Sequence, residues 1–298
     1  MLILGIETAT QQVGCAIGGY EGVRATFHAA RRRRHVETLA PAIDFVCQQA
    51  DVPLSELGAV AVDVGPGLFS GLRVGVTTAK TLAQALRLPV IGVSSLDLLA
   101  FPVRHSNRLI VPVIDARRGE LYYGFYRQVP GGVQCLSGYQ VGKPGELVSE
   151  LLARGEDVLM VGDGVVRYAD ELSGVVRCEL AGSPHLYPSA SALVALAHPR
   201  AVREDFVSPS ELEPMYLRKT DAEINWEVSA GWGRAPKPHP NPGVDDDIGG
   251  PDGRDDLGGP DGRDDTGGPD GRDDTGGPDG RDDTGGPDGR GEAGRQAS

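Results

Sequence analysis

The sequence predicts an α/β protein followed by a polar tail of a different kind. Three observations carry this: three short strand-like segments at the N-terminus, an alternation of apolar strands with amphipathic helices after them, and an abrupt change of composition near residue 230. Leu2–Ile6, Val13–Gly18 and Gly22–Ala30 read as short strands joined by tight turns, the second turn carrying Gly18-Gly19. A helix is expected from about Val36 to Ala50, where apolar residues recur at helical spacing. The run Leu57–Val64 reads as a buried strand, ending in Gly65-Pro66-Gly67. A second helix from about Ser70 to Leu86, a strand at Pro89–Val93 and a helix opening at Ser94-Ser95 complete the series.

The order is βββαβαβα. An antiparallel meander followed by βα units is the pattern of the ribonuclease-H-like fold, the half-unit of the actin, Hsp70 and sugar-kinase superfamily. A second module begins near Arg108: Leu109–Ala116 and Leu121–Arg127 as a hairpin, strand Val133–Val141, helix Pro144–Arg154, strand Asp157–Val161 and helix Val165–Leu172. Ala190–Ala197 is expected to return as a helix toward the first module. The expected organisation is therefore two ribonuclease-H-like domains, residues 1–104 and a smaller 105–188, then a returning segment 189–229 and a linker with tail, 230–298. Fold alone assigns no activity.

The tail repeats G-G-P-D-G-R-D-D-(L/T) with a period of nine, in four full copies and a clipped fifth ending at Arg290. The calcium β-roll pattern fails on spacing, and the position that would build a core is Thr266, Thr275 and Thr284, with Leu257 the apolar exception. Such a composition cannot offset its ordering entropy, so disorder is expected. From Val244 onward the net charge is −11 of the chain's −13, so the body is near neutral. That argues against a strongly basic protein that grips nucleic acid alone. Cys15, Cys47, Cys135 and Cys178 form no C-x-x-C pair, which makes reduced thiols the expectation. No run approaches a membrane span, and the first residues lack the basic start of a signal peptide, so a cytoplasmic protein with no membrane contact is expected.

The clearest local signal is Gly65-Pro-Gly67-Leu-Phe-Ser70-Gly71-Leu-Arg73, between a buried strand and a helix. Glycines at such a turn let backbone N–H groups converge near a helix N-terminus, where an anion is favoured; Ser70 would cap the helix and Arg73 add charge. The loop is neither a Walker loop nor G-x-G-x-x-G, and a tight turn with a helix cap is the favoured reading over a phosphate cradle. Glu7 and Thr8 stand where this superfamily places its first phosphate loop, but Gln11-Gln12 replace its glycine-rich turn. His35 follows the run Arg31–Arg34, and Leu39 occupies the place of a second histidine, so no H-x-x-x-H metal pair exists there. The arginines suit either sequence-blind phosphate contacts or a solvated loop.

Both helices carry more apolar surface than one sheet needs. On the first, Leu39, Ala42, Ile43, Phe45 and Val46 belong to an arc of roughly 200°, about twice the usual stripe. On the second, Val76, Ala79 and Ala83 lie within a similar stripe. Either these helices are deeply buried or they meet a partner beyond their own domain.

Together these segments resemble the TsaB (YeaZ) family. The matching stretches are Ile3–Ala9, the Arg34-His35 lead into the first helix, Gly65–Lys80, Leu88–Leu96, Asp115–Tyr122 (D-A-R-R-G-E-L-Y) and Pro214–Arg218 (P-M-Y-L-R), in order over most of residues 1–220. The resemblance implies a non-catalytic subunit with no cofactor or metal of its own. It implies pairing with a TsaD-like catalytic subunit through the N-terminal helices, or self-association as a homodimer through a similar surface. With a TsaE-like ATPase, the complex transfers threonylcarbamoyl from its adenylate to N6 of the tRNA adenosine 3′ of the anticodon. Glu7 stands where many members carry Asp, and the tail lies outside the resemblance. The competing expectation is a small kinase-like enzyme using Glu7 and the glycine loop on ATP; a metal-dependent glycoprotease, from old family labels, is the third.

Overall fold

The computed structural model describes residues 1–30, 34–175 and 177–218. The expectations for Arg31–Arg33, for the linker and for the repeat tail therefore lie outside the described residues.

The N-terminal segments form β1 (Leu2–Glu7), β2 (Gln12–Gly19) and β3 (Gly22–Ala30), an antiparallel meander with Ile3 opposite Gly18 and Glu7 opposite Gly14. After α1 (His35–Ala50), β4 (Leu57–Gly65) runs parallel to β1, pairing Ile6 with Val62. After α2 (Phe69–Leu86), β5 (Val90–Ser94) runs parallel to β4. The order β3-β2-β1-β4-β5 is the one the meander-plus-βα reading requires.

Alternation along the strands decides which layer each side chain enters. Leu4, Ile6, Val13, Cys15 and Ile17 meet Leu39, Ile43 and Val46 of α1 and Val76, Ala79 and Ala83 of α2 on one face. Ile3, Ala59, Ala61 and Ile91 meet Leu193 and Ala197 of α7 (Ala190–Val202) on the other. Covered on both faces, the central strands read as nearly continuous apolar runs. α1 and α2 stop at Asp51 and Arg87, each in the left-handed conformation, whose N–H groups satisfy the last carbonyls. α7 runs past the expected end at Ala197 through Pro199, because Ala201 still packs into the core.

The second sheet repeats the plan. β6 (Leu109–Arg117) pairs antiparallel with β7 (Glu120–Tyr123) and β7 with β10 (Gln140–Gly142). After α4 (Pro144–Arg154), β11 (Val158–Val161) lies parallel to β6, and β12 (Cys178–Leu180) parallel to β11. The order β10-β7-β6-β11-β12 matches the first sheet, with β8 (Tyr126–Val129) and β9 (Gly132–Cys135) as an added hairpin against β6. Two expected strands are each broken. Leu121–Arg127 divides at Gly124-Phe125, where Phe125 turns fully into the core against Tyr123. Val133–Val141 divides around Gly138, which holds a positive φ of 72°. The expected helix Val165–Leu172 is likewise two, α5 (Asp163–Arg167) and α6 (Ala169–Leu172), parted at Tyr168.

α3 (Ser95–Ala100) joins the sheets. Ser94 caps it by accepting from Leu96 N–H, and Leu96, Leu99 and Ala100 cover the second sheet beside Ile110, Ile114 and Tyr126. Asp97 accepts hydrogen bonds from the hydroxyls of Tyr126 at 2.7 Å and Tyr139 at 3.0 Å.

Candidate functional site

The two loops singled out by sequence meet at the carboxyl ends of β1 and β4, where open α/β sheets usually bind ligands. Here they are packed onto each other. A Cβ added at Gly67 would lie 2.2 Å from the carbonyl oxygen of Ala9, and one at Gly71 2.1 Å from that of Thr8. One at Gly75 would lie 2.2 Å from Thr8 Oγ1. Leu68 N–H donates to Ala9 O at 2.6 Å, and Thr8 Oγ1 donates to Gly71 O at 2.8 Å. The glycines thus let the first turn of α2 press against the turn after β1. His35 closes the same turn: its Nε2 lies 2.8 Å from Thr10 O, and since a carbonyl only accepts, that nitrogen carries the hydrogen.

Two details differ from expectation. α2 begins at Phe69 with Leu68 as its cap residue, so Ser70 lies exposed in the first turn and caps nothing. Arg73 is engaged by its neighbours, stacking over Phe69 at 3.9 Å and donating Nε–H to Tyr216 Oη at 3.4 Å. Phe69 and Tyr216 are themselves in ring contact at 5.3 Å. The C-terminal stretch P-M-Y-L-R is thereby held beside the loop, with Met215 N–H donating to Val64 O.

Beneath the loops lie two fully buried carboxyl groups. Glu7 Oε1 accepts from Ala9 N–H at 2.9 Å, and Asp63 Oδ1 accepts from Gly65 N–H at 2.8 Å and from Ser95 Oγ at 2.6 Å. Glu7 Oε2 and Asp63 Oδ2 are buried without a partner. Burial above all, and then the neighbouring Asp63, hold Glu7 well above the usual carboxylate range. Burial pushes Asp63 up to about 7 against the pull of its hydrogen bonds. Asp63 was missed by sequence reasoning, although an acid interrupting the apolar run V-A-V-D-V is a readable signal. Among the described residues no three His, Cys, Asp or Glu side chains are grouped to hold a metal ion.

Known proteins share this chain's sequence and architecture. The family model described as "TsaD: tRNA N6-adenosine threonylcarbamoyltransferase" matches residues 26–226. The tRNA threonylcarbamoyladenosine biosynthesis protein TsaB of Bacillus subtilis is 30% identical over 228 residues, spanning 76% of this chain and 98% of that protein. The chain belongs to the TsaB family. The TsaB of Escherichia coli is 31% identical over 237 residues, 78% of this chain and 99% of that protein. The solved structure of YeaZ from Pseudomonas aeruginosa superposes with a TM-score of 0.63 at 27% identity, covering 72% of this chain and 99% of that one.

In this TsaB-family chain the helix residues expected to face a partner sit elsewhere. Leu39, Ala42, Ile43, Val46, Val76, Ala79 and Ala83 are buried under the chain's own sheet. Their arc points at β1, β2 and β4, and burial within the chain accounts for it. Phe45 alone of the eight is exposed, at 45%, packed edge-on against Phe27. What the helices leave outward is an apolar groove of about 580 Å³ between α1 and α2. Ala40, Ile43, Cys47, Val52, Leu54 and Leu82 line it, with Asp44 and Gln48 among its polar residues. Among the described residues no helix is long and apolar enough to cross a membrane.

Proposed function

We propose that this chain is a non-catalytic scaffold subunit in tRNA threonylcarbamoyladenosine formation. It pairs with a TsaD-like catalytic subunit, which transfers threonylcarbamoyl from its adenylate to N6 of the adenosine 3′ of the anticodon, and a TsaE-like ATPase serves the same complex. The observation that carries the reading is similarity to proteins named for this biosynthesis over nearly their whole length. The α1–α2 groove supports it, since an apolar surface between two exposed helices suits helices of a partner. The packed glycine loop supports it too, because its glycines are occupied by the turn after β1 rather than by open space for a nucleotide.

The test is co-elution of the full chain with a TsaD-like protein, against Ala40→Glu. Ala40 is exposed and lines the groove, so the variant places a charge there without disturbing the core. We expect an unchanged melting temperature and loss of the partner. Val46→Glu is no substitute, because it buries a carboxylate in the core and unfolds the protein. Normal co-elution of Ala40→Glu would remove the groove from the interface. If the wild-type chain elutes only as a homodimer, or binds and turns over ATP alone, the scaffold reading fails.

A further inference from the structure

The two outer edges of the first sheet are finished differently. At β5 the chain covers the edge itself: it returns after α7, and Val207 N–H donates to Val90 O at 2.9 Å. At the other edge β3 pairs with β2 alone among the described residues. Its nine residues carry one ionised side chain, Arg24, in a loose exposed pair with Glu21 at 3.5 Å. A long edge with so little charge is a template for one more strand.

The two faces of that edge differ in character. Ala25 and Phe27 pack toward α1, where Phe27 meets Phe45 edge-on at 6.0 Å and Phe45 stays 45% exposed. Thr26 and His28 alternate to the opposite face. There they line a polar cleft of about 280 Å³ together with Ser189 and Ser191, at the N-terminus of α7. A strand that fits must show apolar side chains on the first face. On the second it must show polar or acidic ones, since the amino end of a helix favours negative charge.

The chain carries such a segment beyond Arg218. Residues 223–228, E-I-N-W-E-V, alternate Ile224, Trp226 and Val228 with Glu223, Asn225 and Glu227. This is the period of a half-buried strand. The apolar set matches the Phe27–Phe45 side, and the acidic set matches the α7 side. Reach permits the match. Met215 is held on β4 by its hydrogen bond to Val64 O, and Ile224 follows nine residues later, up to about 30 Å of extended chain. β3 lies three strands from β4, about 14 Å away at ~4.8 Å per strand. β3 and β4 run in the same direction, so a segment arriving from the carboxyl end of β4 descends antiparallel to β3.

We propose that residues 223–228 of this chain add to the outer edge of β3 as an antiparallel strand, with Trp226 covering Phe27 and Phe45. The added strand closes an edge that otherwise invites a second molecule, and it ties down the chain ahead of the acidic repeats.

Two readouts on the full chain test this. Trp226 and Trp232 are its two tryptophans, so Trp232→Phe leaves Trp226 as the sole indole reporter. Its emission should be blue-shifted and shielded from acrylamide, and Phe45→Ala in the same background should move it back toward the red. Hydrogen exchange reads the backbone. Of two adjacent strand residues one turns its N–H toward the neighbouring strand, so Ile224→Pro/Asn225→Pro removes a ladder bond in either register. Amides of β3 should then exchange at least about tenfold faster than in wild type, while β11 keeps its protection and shows the body folded. Equal β3 exchange in both proteins, or Trp226 emission like that of indole in water, overturns the proposal. A shielded Trp226 with unchanged β3 exchange overturns it too, and moves the segment to another surface. Protection that appears only as concentration rises, together with a dimer mass, overturns the placement within one chain: β3 then takes the strand of a second copy.

Discussion

The two sheets place acidic pairs at corresponding positions and treat them in opposite ways. In the first, Glu7 ends β1 and Asp63 lies near the end of β4; in the second, Asp115 lies near the end of β6 and Asp163 just beyond β11. Three of the four use the same local device, an oxygen accepting the N–H two residues on: Ala9 for Glu7, Gly65 for Asp63, Arg117 for Asp115. Beyond that they part. Among the described residues the first pair meets no cation; it keeps one unpartnered oxygen on each residue and is pushed toward the protonated state. The second is met by Arg117, Arg167 and the Tyr168 hydroxyl. The same backbone plan therefore hosts a neutralised pair or a charged one. What decides between them is whether nearby loops supply cations or glycines.

The comparison breaks most visibly at Asp115. Asp115→Ala leaves the buried Tyr168 hydroxyl and the Arg117 N–H without their acceptor, while the two guanidiniums stay in solvent, and should cost about 1–3 kcal/mol in chemical denaturation. A loss below about 1 kcal/mol would mean the cluster behaves as ordinary surface ion pairs. On the other side, Gly71→Ala tests whether glycines seal the first pair from solvent. Its Cβ would meet Thr8 O at 2.1 Å, so the α2 turn must lift, at a cost of about 1–3 kcal/mol. Wild-type stability in that variant would show the loops to be loosely apposed.

The frame was legible in the sequence because its central strands are buried on both faces. Runs such as L-G-A-V-A-V-D-V have little other use, and the element order then dictates the sheet order. The breaks at Gly124-Phe125 and Tyr168 were not legible. Each follows from a single side chain turning inward, and local pattern carries no trace of that. The Asp115 cluster escaped for another reason: Arg167 and Tyr168 stand about fifty residues along the chain from the acid they hold, so only the fold brings them together. The helices misled in a third way. The width of an apolar arc says that two sides are covered but not by what. All of the eight expected interface residues except Phe45 are buried against the chain's own sheet, and of them only Ile43 also lines the outward groove, beside Ala40 and Leu82.

The finest test of the comparison is the pH dependence of stability. Asp63 titrates at about 7 in the folded chain, raised by burial, and near 3.9 when unfolded. Between those values the folded carboxyl keeps a proton that the unfolded chain has released, so folding takes up a proton. Stability is then complete below about pH 4 and declines as pH rises through 7, at up to about 1.4 kcal/mol per pH unit for this group. Glu7 shifts in the same direction and steepens the fall. Asp163, raised to about 6, contributes a smaller decline that ends earlier. Asp63→Asn removes the first contribution and relieves Glu7 of its neighbouring charge, while leaving Asp163 untouched. The variant should match or exceed wild-type stability at pH 8, and its curve should fall less steeply than the wild-type curve between pH 5 and 7, keeping the share that burial of Glu7 contributes. Denaturation midpoints at half-unit pH steps would show this. A wild type whose stability holds level or rises from pH 5 to 8 would mean that the first pair is ionised after all, and that its orphan oxygens meet partners in solution.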